Sequence, residues 1–373
     1  MKFTCLQENL LKGLNIVSKA VPLKGPLPIL TNILVTAKDG RIKLSATNLE
    51  TTISIYVGGS VDIEGIVTVP AKVFRDFVSN LSTEKVSLEL DKDILKVDGG
   101  KSKAKINGMV ADDYPPLPEF VEDVSVLKFN ASELASAVGM VAFAASLDET
   151  KPLYSGILFD YSSVNKSLTM TSTNGFRLSE KVLPIDSDYE SFSAVLPAKT
   201  VMEVSRIFSG AEEPLIFVLN NSENMALFQS NNTLVATRLI AGDYPDYKRI
   251  IPTSKVVTVE LESAHLLEAA KLAGIFARNE EDSILIVINP ETNQLSLKSV
   301  SQEMGNHQSD IEAVVDGEYL EIAFKPKYLL DLLNNVKADR LLIESSGVVN
   351  PFVVKPLGDS SFLHLMMPLR ING

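Results

Sequence analysis

Three lysines recur along the chain at an almost constant spacing. Lys72, Lys199 and Lys327 are 127 and 128 residues apart, in "TVPAKVFRDFVSNL", "VLPAKTVMEVSRIF" and, more loosely, "AFKPKYLLDLLNNV". Lysine neutralises phosphate without reading a base. If a repeated fold places the three on one surface, they offer salt-sensitive and sequence-independent attraction for nucleic acid.

The residue types that usually carry out catalysis are scattered. His265, His307 and His364 form no His-x-x-x-His pattern, and Cys5 is the only cysteine. A zinc site is therefore not expected. Cys5 lies in an alternating strand pattern, which predicts an inert core thiol and excludes an internal disulfide.

Two other stretches imitate functional motifs. "DGGKS" (98–102) resembles the end of a phosphate-binding loop, but Leu95 replaces its first glycine and a strand pattern follows, so a hairpin turn is predicted. Asp112 with Asp113, and the run 280–282, are adjacent acids in predicted loops, where solvated carboxylates are the usual interpretation. The sequence predicts no catalytic site, no metal and no cofactor.

Size and composition indicate a multidomain globular protein. The 373 residues exceed one ordinary core, and apolar residues make up 45% and charged residues 22%. The N-terminal stretch lacks a signal-peptide pattern, and no apolar run approaches the ~20 residues of a membrane span. A cytoplasmic location is expected. The net charge of −12 argues against nucleic acid unless basic residues are gathered on one surface.

The lysine segments belong to a threefold repeat. "TNILVTAKDGRIKLSATNLE", "SGILFDYSSVNKSLTMTSTNGF" and "SILIVINPETNQLSLKSVSQE" recur at similar spacing, and each is preceded by a short strand and an apolar-periodic helix. "MVADDYPPLPEF" and "LIAGDYPDYKRIIP" close the first two copies. We predict an α+β fold of three modules (1–122, 123–252 and 253–373), each with two helices on about eight antiparallel strands.

Local signals place the elements within a module. Asp39-Gly40 predicts a tight hairpin, and Ser132 and Ser263 are candidate helix N-caps. The six predicted helices hold ten basic and six acidic residues, a net charge of +4 against −16 for the remainder. The basic residues are Lys12, Lys19, Lys72, Arg75, Lys199, Arg206, Lys271, Arg278, Lys327 and Lys337. Ordinary solvated helix faces are the alternative interpretation, but the repeated register favours a phosphate-binding surface.

With three modules identified, the sequence resembles the bacterial sliding clamps, the beta subunits of DNA polymerase III, over essentially its full length. The resemblance is carried by "MKFTCLQENLLKGLNIVSKAVPLKGPLPILTNILVTAKDGRIKLSATNLE", "DETKPLYSGILF", "TSTNGFRLSE", "GDYPDYKRIIP" and "MMPLR". It implies a homodimer in which each chain forms half of a ring around duplex DNA, with helices facing the hole. It also implies a processivity factor without a catalytic site.

The resemblance further implies partners and sites. Expected partners are duplex DNA of any sequence, the replicative polymerase catalytic subunit, the clamp-loader ATPase and other proteins with a clamp-binding motif, in the nucleoid-associated cytoplasm. In this family a groove between modules II and III receives a partner peptide. The matching residues are Tyr154, Thr173, Gly175, Phe176, Arg177, Leu178, Pro245, Arg249, Ile250, Leu365, Met366, Met367, Pro368, Leu369 and Arg370.

The chemistry of this set suits a peptide, with Met and aliphatic groups as an adaptable pocket and Arg177, Arg249 and Arg370 expected at its rim. Asn174 and Phe176 replace the commoner Asp and His of the family, and Phe176 keeps the pocket apolar. A terminal strand folded into its own sheet is the alternative, and both can hold because only one face of a strand needs burial.

Two further sets follow from the same resemblance and from the repeat. The DNA-binding candidates are Lys24, Lys72, Arg75, Lys151, Tyr154, Lys199, Arg206, Lys271 and Lys327. The dimer-interface candidates are Ala104, Ile106, Ile275 and Phe276, with Ala104 in place of a large aromatic of some relatives. Two other classes of function stay open at this point: an enzyme that uses loop carboxylates, and a repeat scaffold that binds only proteins.

Overall fold

The computed structural model describes residues 1–120, 125–148, 150–277, 283–301 and 305–369. Its first nine strands and two helices are β1 (Lys2–Leu6), α1 (Gln7–Val17), β2 (Asn32–Lys38), β3 (Arg41–Thr47), β4 (Thr51–Val57), β5 (Gly59–Ile63), β6 (Gly65–Pro70), α2 (Ala71–Ser79), β7 (Lys85–Asp91), β8 (Ile94–Gly99) and β9 (Ser102–Asn107).

The middle of the chain contains β10 (Leu127–Phe129), α3 (Ala131–Ala142), β11 (Gly156–Ser162), β12 (Ser167–Thr173), β13 (Arg177–Pro184), β14 (Phe192–Pro197), α4 (Ala198–Phe208), β15 (Leu215–Asn220), β16 (Met225–Ser230) and β17 (Thr233–Arg238). The last part contains β18 (Val257–Glu262), α5 (Ser263–Phe276), β19 (Ile284–Asn289), β20 (Gln294–Ser301), β21 (Gly305–Glu312), β22 (Val314–Gly317), β23 (Leu320–Phe324), α6 (Pro326–Asn335), β24 (Arg340–Ser345), β25 (Phe352–Pro356) and β26 (Phe362–Met366).

The chain divides into two compact units. Unit 1 comprises Met1–Glu133 and Glu203–Leu239, and unit 2 comprises Leu134–Met202 and Ile240–Gly373. The division falls within α3 and α4, so it does not follow the sequence repeats. The reason is strand pairing, because each unit contains one large sheet to which two successive repeats contribute strands.

Unit 1 contains a five-stranded sheet, in the order β5-β1-β7-β8-β9, and an eight-stranded sheet, in the order β10-β15-β16-β17-β4-β3-β2-β6. The pairing of β17 with β4 joins the first repeat to the second. Helix α1 buries Leu10, Leu14 and Val17, one apolar stripe, against β3 and β4. Gly13 permits this close approach, since a Cβ there would lie 2.9 Å from Val57 Cγ2.

Unit 2 contains a nine-stranded sheet, in the order β14-β11-β12-β13-β26-β25-β24-β18-β22, and a four-stranded sheet, in the order β21-β20-β19-β23. The pairing of β13 with β26 joins the second repeat to the third. Helices α5 and α6 pack on each other, and their buried residues share one core with Phe324, Phe352 and Met366. The predicted α+β class with antiparallel sheets is confirmed.

Turn chemistry was predicted more accurately than helix capping. Asp39 and Gly40 both have positive φ, 49° and 70°, and join β2 to β3 as the hairpin signal indicates. The N-cap predictions are wrong. Asn130 caps α3, because its Oδ1 accepts hydrogen bonds from the amides of Ser132 and Glu133. Ser263 is the first residue of α5 and follows Glu262 at the cap position.

Candidate functional site

A tight turn in unit 2 carries four of the predicted groove residues. It connects β12 to β13 through Asn174, Gly175 and Phe176. Thr173 Oγ1 donates to the carbonyl of Arg177 at 2.7 Å and accepts from the amide of Gly175 at 3.0 Å. Asn174 Oδ1 accepts from the amides of Phe176 and Arg177, both at 3.0 Å. Gly175 has φ 90°, a conformation that favours glycine, and Phe176 is 59% exposed at the tip.

The C-terminal strand β26 lies beside this turn. It pairs with β13, with Leu178 opposite Leu365 and Arg177 opposite Met366. Beyond the strand, the amide of Met367 donates to the carbonyl of Phe176 at 2.8 Å, and the amide of Leu369 donates to the carbonyl of Ala323 at 2.8 Å. These bonds place the half-buried residues 367–369 next to the turn. Arg370 lies outside the described residues.

An apolar cluster forms on one face of the nine-stranded sheet. We call it the terminal-strand cluster; its buried members are Leu158, Leu178, Val195, Tyr247, Val353 and Leu365, flanked by Leu153, Ile240, Tyr244, Ile251 and Leu363. Tyr247 donates its hydroxyl hydrogen to Glu180 Oε2. Burial first, and then that hydrogen bond, raises the pKa of Tyr247 well above its usual range, so the hydroxyl stays neutral.

The short 3-10 helix Tyr247–Ile250 carries both buried and exposed side chains near the cluster. Tyr247 is buried within it, whereas Ile250 is 46% exposed. Arg249 is largely exposed and pairs through Nε with Asp246 Oδ2 at 2.6 Å. Pro245 precedes this helix and is half-buried, as is Tyr154 in the 3-10 helix Pro152–Ser155.

Two predicted groove residues are buried on the face of the sheet opposite the terminal-strand cluster. Arg177 was expected at a rim, but its side chain is 6% exposed and its Nη1 lies 2.6 Å from Asp331 Oδ2. Met366 is fully buried in the core beneath the helices. The physical reason is alternation along β13 and β26. Leu178 and Leu365 point to the terminal-strand cluster, so their neighbours Arg177 and Met366 point to the opposite face.

Behind the sheet, His364 is also fully buried. Its Nδ1 lies 2.7 Å from Ser179 Oγ, and its ring is 5.3 Å from that of Phe143. Burial, and then the charge of Arg177, lowers the pKa of His364 to about 3, so the imidazole is neutral at ordinary pH. It is a structural residue of the strand interior.

Several residues of this region were missed from the sequence. Tyr244 and Tyr247 belong to "GDYPDYKRIIP", whose Pro245, Arg249 and Ile250 were selected, and their aromatic type was a usable signal for a cluster wall. Phe143, Tyr328 and Asp331 surround Arg177 from distant parts of the chain. A single sequence contains no signal for that meeting.

The three repeated lysines occupy the same position in three helices. Lys72, Lys199 and Lys327 are each the second residue, in α2, α4 and α6, and all three are exposed. The predicted register is therefore confirmed at the level of the element. A cation at a helix N-terminus opposes the helix dipole at a cost of roughly 0.3–1 kcal/mol, so helix stability does not explain the placement.

The other basic candidates fall into two groups. Lys24, Lys151 and Lys271 are exposed. Arg75 pairs with Asp76 at 3.0 Å and Arg206 with Glu203 at 2.6 Å, so both charges are partly neutralised.

The predicted helix charge of +4 is wrong. Lys19 and Lys337 lie beyond the ends of α1 and α6, and Arg278 lies outside the described residues. Within the part of the chain that the structure describes, the six α-helices hold seven basic and six acidic residues. Position, more than total charge, distinguishes the repeated lysines.

The dimer-interface candidates lie at a strand edge and a helix end. Ala104 and Ile106 belong to β9, the edge strand of the five-stranded sheet. Ile106 is only 5% exposed, and the exposed side chains there are Lys103 and Lys105. Ile275, 48% exposed, and Phe276 end α5, and the Phe276 ring stacks on His307 of the edge strand β21 at 5.8 Å.

Among the described residues, no group of three or more His, Cys, Asp or Glu side chains is arranged to hold a metal ion. The acids at 280–282 lie outside those residues. Cys5 is buried, and burial raises the pKa of its thiol to about 12, which keeps it protonated. Of the helices in the described ranges, none has the length and apolar content needed to cross a bilayer.

Comparison with known proteins agrees with this architecture along the whole chain. Models of the N-terminal, central and C-terminal domains of the DNA polymerase III beta subunit match residues 1–118, 128–246 and 248–370. A beta sliding clamp of Staphylococcus aureus is 28% identical over 99% of each chain. A sliding clamp of Bacillus subtilis is 26% identical with a TM-score of 0.95, covering 100% of this chain and 99% of that one. A sliding clamp of Pseudomonas aeruginosa bound to griselimycin, 23% identical with full coverage of both chains, has a TM-score of 0.92 and shows the fold alone.

Three matched domains and the shared antiparallel architecture define the class of bacterial DNA sliding clamps. The chain belongs to the DNA polymerase III beta subunit family. Its function is accordingly that of a processivity factor, which keeps a DNA polymerase on its template.

Proposed function

We propose that two copies of this chain close a ring around duplex DNA of any sequence and hold a polymerase there through a peptide groove at the terminal-strand cluster, without a catalytic site of their own. The proposed partners are the replicative polymerase catalytic subunit, the clamp-loader ATPase and other proteins with a clamp-binding motif. The proposed location is the nucleoid-associated cytoplasm. The proposed modules are 1–122, 123–252 and 253–373, each with two helices.

The observation that carries the DNA proposal is the position of Lys72, Lys199 and Lys327 at the starts of α2, α4 and α6. Three repeats with the same cation at the same helix position would offer phosphates similar contacts at successive steps. Contacts to phosphate carry no sequence information and exchange along the backbone. Retention would then come from closure of the ring, and sliding from weak, equivalent contacts.

The DNA proposal is tested by replacing the three lysines with glutamine in one variant. After loading on a nicked circle, the variant is expected to leave sooner, and the salt dependence of DNA binding should weaken by up to ~0.9 per lost phosphate contact. The matched control replaces Lys38, Lys92 and Lys128, three exposed lysines on strands or turns. Equal losses in both variants would contradict a specific role for the helix lysines.

Complementary charge at two strand edges supports the proposed ring closure. The edge strand β9 presents Lys103 and Lys105, and the edge strand β21 presents Asp310 and Glu312. An exposed edge with unpaired backbone groups is a template for pairing with another chain. We propose that β9 of one copy pairs with β21 of the next, with Ala104, Ile275 and Phe276 beside the seam.

Sedimentation measurements of solution mass test the edge pairing. Wild type is expected at the mass of two 40.6 kDa chains. Lys103→Glu with Lys105→Glu places like charges across the seam and should give single chains. Adding Asp310→Lys and Glu312→Lys should restore the dimer. A double variant that stays dimeric would remove these edges from the interface.

The groove proposal rests on the terminal-strand cluster and its half-exposed border at Phe176, Ile250 and 367–369. We propose griselimycin, which is bound to the Pseudomonas aeruginosa clamp, as a probe of the groove. Met367→Ala with Leu369→Ala should weaken its binding and leave the dimer mass unchanged. The matched control is Ile66→Ala with Val164→Ala, two exposed aliphatic side chains outside the cluster. Unchanged probe binding together with loss of the dimer would show that the groove is misassigned.

A further inference from the structure

The Arg177 side chain connects the groove turn to two distant helical segments. Its Nη1 lies 2.6 Å from Asp331 Oδ2 on α6, and its Nη2 donates to the carbonyl of Phe143, the residue after α3. Its guanidinium carbon lies 4.8 Å from the ring centroid of Tyr328 and 5.5 Å from that of Phe143. The planar fork therefore holds a carboxylate and a carbonyl while it lies between two aromatic rings.

Burial removes this guanidinium from the groove surface. With 6% of the Arg177 side chain exposed, its charged end is not available to a docking peptide, and the Asp331 side chain is 30% exposed on the other side of the contact. A buried charge is tolerated only with good partners, and removing one partner of such a pair usually costs more than the pair contributes. The pair is thus a fixed link between β13 and α6.

The backbone of Arg177 closes the turn that presents Phe176. Its amide donates to Asn174 Oδ1 at 3.0 Å, and its carbonyl accepts from Thr173 Oγ1 at 2.7 Å. The carbonyl of Phe176, one residue earlier, accepts the amide of Met367. A shift of Arg177 would therefore move both the Phe176 tip and the start of the segment 367–369, the two borders of the proposed groove.

Unit 1 contains the same turn without an arginine at this position. Thr47 Oγ1 donates to the carbonyl of Thr51 at 3.2 Å, and Asn48 Oδ1 accepts from the amides of Glu50 and Thr51 at 3.0 and 2.7 Å. The amide of Arg238 donates to the carbonyl of Glu50 at 2.8 Å, as that of Met367 does to Phe176. Thr51 stands where Arg177 stands in unit 2. The turn of unit 1 is closed by its own hydrogen bonds without an arginine. The Arg177 guanidinium is therefore not needed to form the equivalent turn of unit 2.

We propose that Arg177 is a positioning residue for the peptide groove, which acts through Asp331 to hold the turn 173–177 in register with α6. This rests on the proposed groove function. A docking peptide then binds a groove whose two borders are already ordered, so no binding free energy is lost in ordering them. Because Asp331 lies one turn after Lys327 on α6, the same link ties the groove to a helix that we propose faces DNA.

The test uses the full-length protein and calorimetric titration with griselimycin. Asp331→Asn removes the charge from the partner of Arg177 and leaves every proposed groove residue in place. We expect it to weaken binding about 5- to 20-fold, the lower part of the range of typical couplings between sites. The matched control is Asp359→Asn, which removes the charge from another ion pair of β13, with Lys181 at 3.0 Å. The control should change binding less than about twofold.

Arg177→Lys and the double variant with Asp331→Asn identify the route of the effect. If Arg177 acts through Asp331, the double variant loses no more affinity than the more affected single variant. Losses that multiply would mean that Arg177 contacts the ligand itself, and would overturn the proposal. So would an Asp331→Asn variant that binds like wild type. Wild type that fails to bind griselimycin would overturn the groove function, and this proposal with it.

Hydrogen exchange separates positioning from general stability. In Asp331→Asn, the amides of Phe176, Arg177 and Met367 should exchange faster, while those of Glu50, Thr51 and Arg238 in unit 1 serve as internal references. Because the substitution leaves the buried guanidinium without its counter-charge, the unfolding temperature should also fall, so exchange is compared well below the unfolding transition of each protein. Exchange that accelerates equally throughout β13, and no more at the turn than elsewhere, would show a merely structural role and contradict the proposal.

Discussion

The turn 47–51 of unit 1 and the turn 173–177 of unit 2 are closed by equivalent hydrogen bonds from a threonine and an asparagine. They differ in the residues that those bonds hold. Unit 1 has Leu49, Glu50 and Thr51 where unit 2 has Gly175, Phe176 and Arg177. The two turns thus share their hydrogen bonds but present different side chains. In this way a repeated fold can carry a site in one repeat only.

The largest expected difference concerns the residue that closes each turn. Arg177→Ala removes a buried guanidinium together with its bonds to Asp331 and the Phe143 carbonyl, and should lower the free energy of unfolding by about 3 kcal/mol. Thr51→Ala keeps the backbone bonds of the other turn and should cost about 1 kcal/mol. Denaturant titration of both variants provides the measurement. Similar losses would mean that the Arg177 pair adds nothing to the turn.

The strands beside the two turns differ in one titratable residue, so the stability of the two regions should depend differently on pH. His364 lies opposite Ser179, and Val235 lies at the equivalent place opposite Ile53. Because burial lowers the pKa of His364 to about 3 from 6.5, the unfolded chain binds the extra proton between these values. The contribution of neutral His364 to the free energy of unfolding is complete above pH 6.5. It decreases by about 1.4 kcal/mol per pH unit as the pH falls below 6.5.

The measurement compares the denaturant stability of wild type and His364→Gln from pH 7.5 to pH 4.5. The glutamine retains a hydrogen-bonding group near Ser179 but does not titrate. The wild-type curve should fall more steeply below pH 6.5, and parallel curves would refute the assignment.

The shared threonines should behave alike. Thr47→Val and Thr173→Val each remove the two hydrogen bonds that the hydroxyl makes within its turn, and each should cost about 1–2 kcal/mol. Unequal costs, measured by denaturant titration, would show that the two turns are less equivalent than their bonds indicate.

The smallest expected effect concerns the positive-φ position. Leu49 has φ 77°, where a leucine is strained, and Gly175 has φ 90°. Leu49→Asn should raise the free energy of unfolding by about 0.5 kcal/mol, because asparagine tolerates this conformation. Gly175→Ala should lower it by about 1 kcal/mol. Thermal unfolding detects both, and a stabilising Gly175→Ala would contradict the strain argument.

Elements with a local cause were predictable from the sequence. The Asp39-Gly40 hairpin, the repeated lysine position and the "DGGKS" turn between β8 and β9 follow from local turn and helix signals and from repeat spacing. The sequence predicts that the terminal strand lies in the sheet of its own module, lines the peptide groove, or does both. Its pairing with β13 and its contact with the turn show how it enters the sheet.

The errors have non-local causes. Arg177 was placed at a rim because a single sequence does not contain its meeting with Asp331, 154 positions later. The burial of Ile106, an interface candidate, depends on which face of β9 turns inward, and a single sequence does not show that face. The helix charge was overestimated because Lys19 and Lys337 lie just beyond helix ends, where boundaries are least predictable.

Strand pairing across the repeats means that the protein cannot be divided into stable fragments at the repeat boundaries. Pairing of β4 with β17 and of β13 with β26 means that the sequence repeats are not autonomous units of folding. A fragment ending after the second repeat would leave β13 with a bare row of amides and carbonyls, ready to join any neighbouring chain. Truncation at a repeat boundary would therefore produce an aggregating polypeptide in place of a smaller clamp.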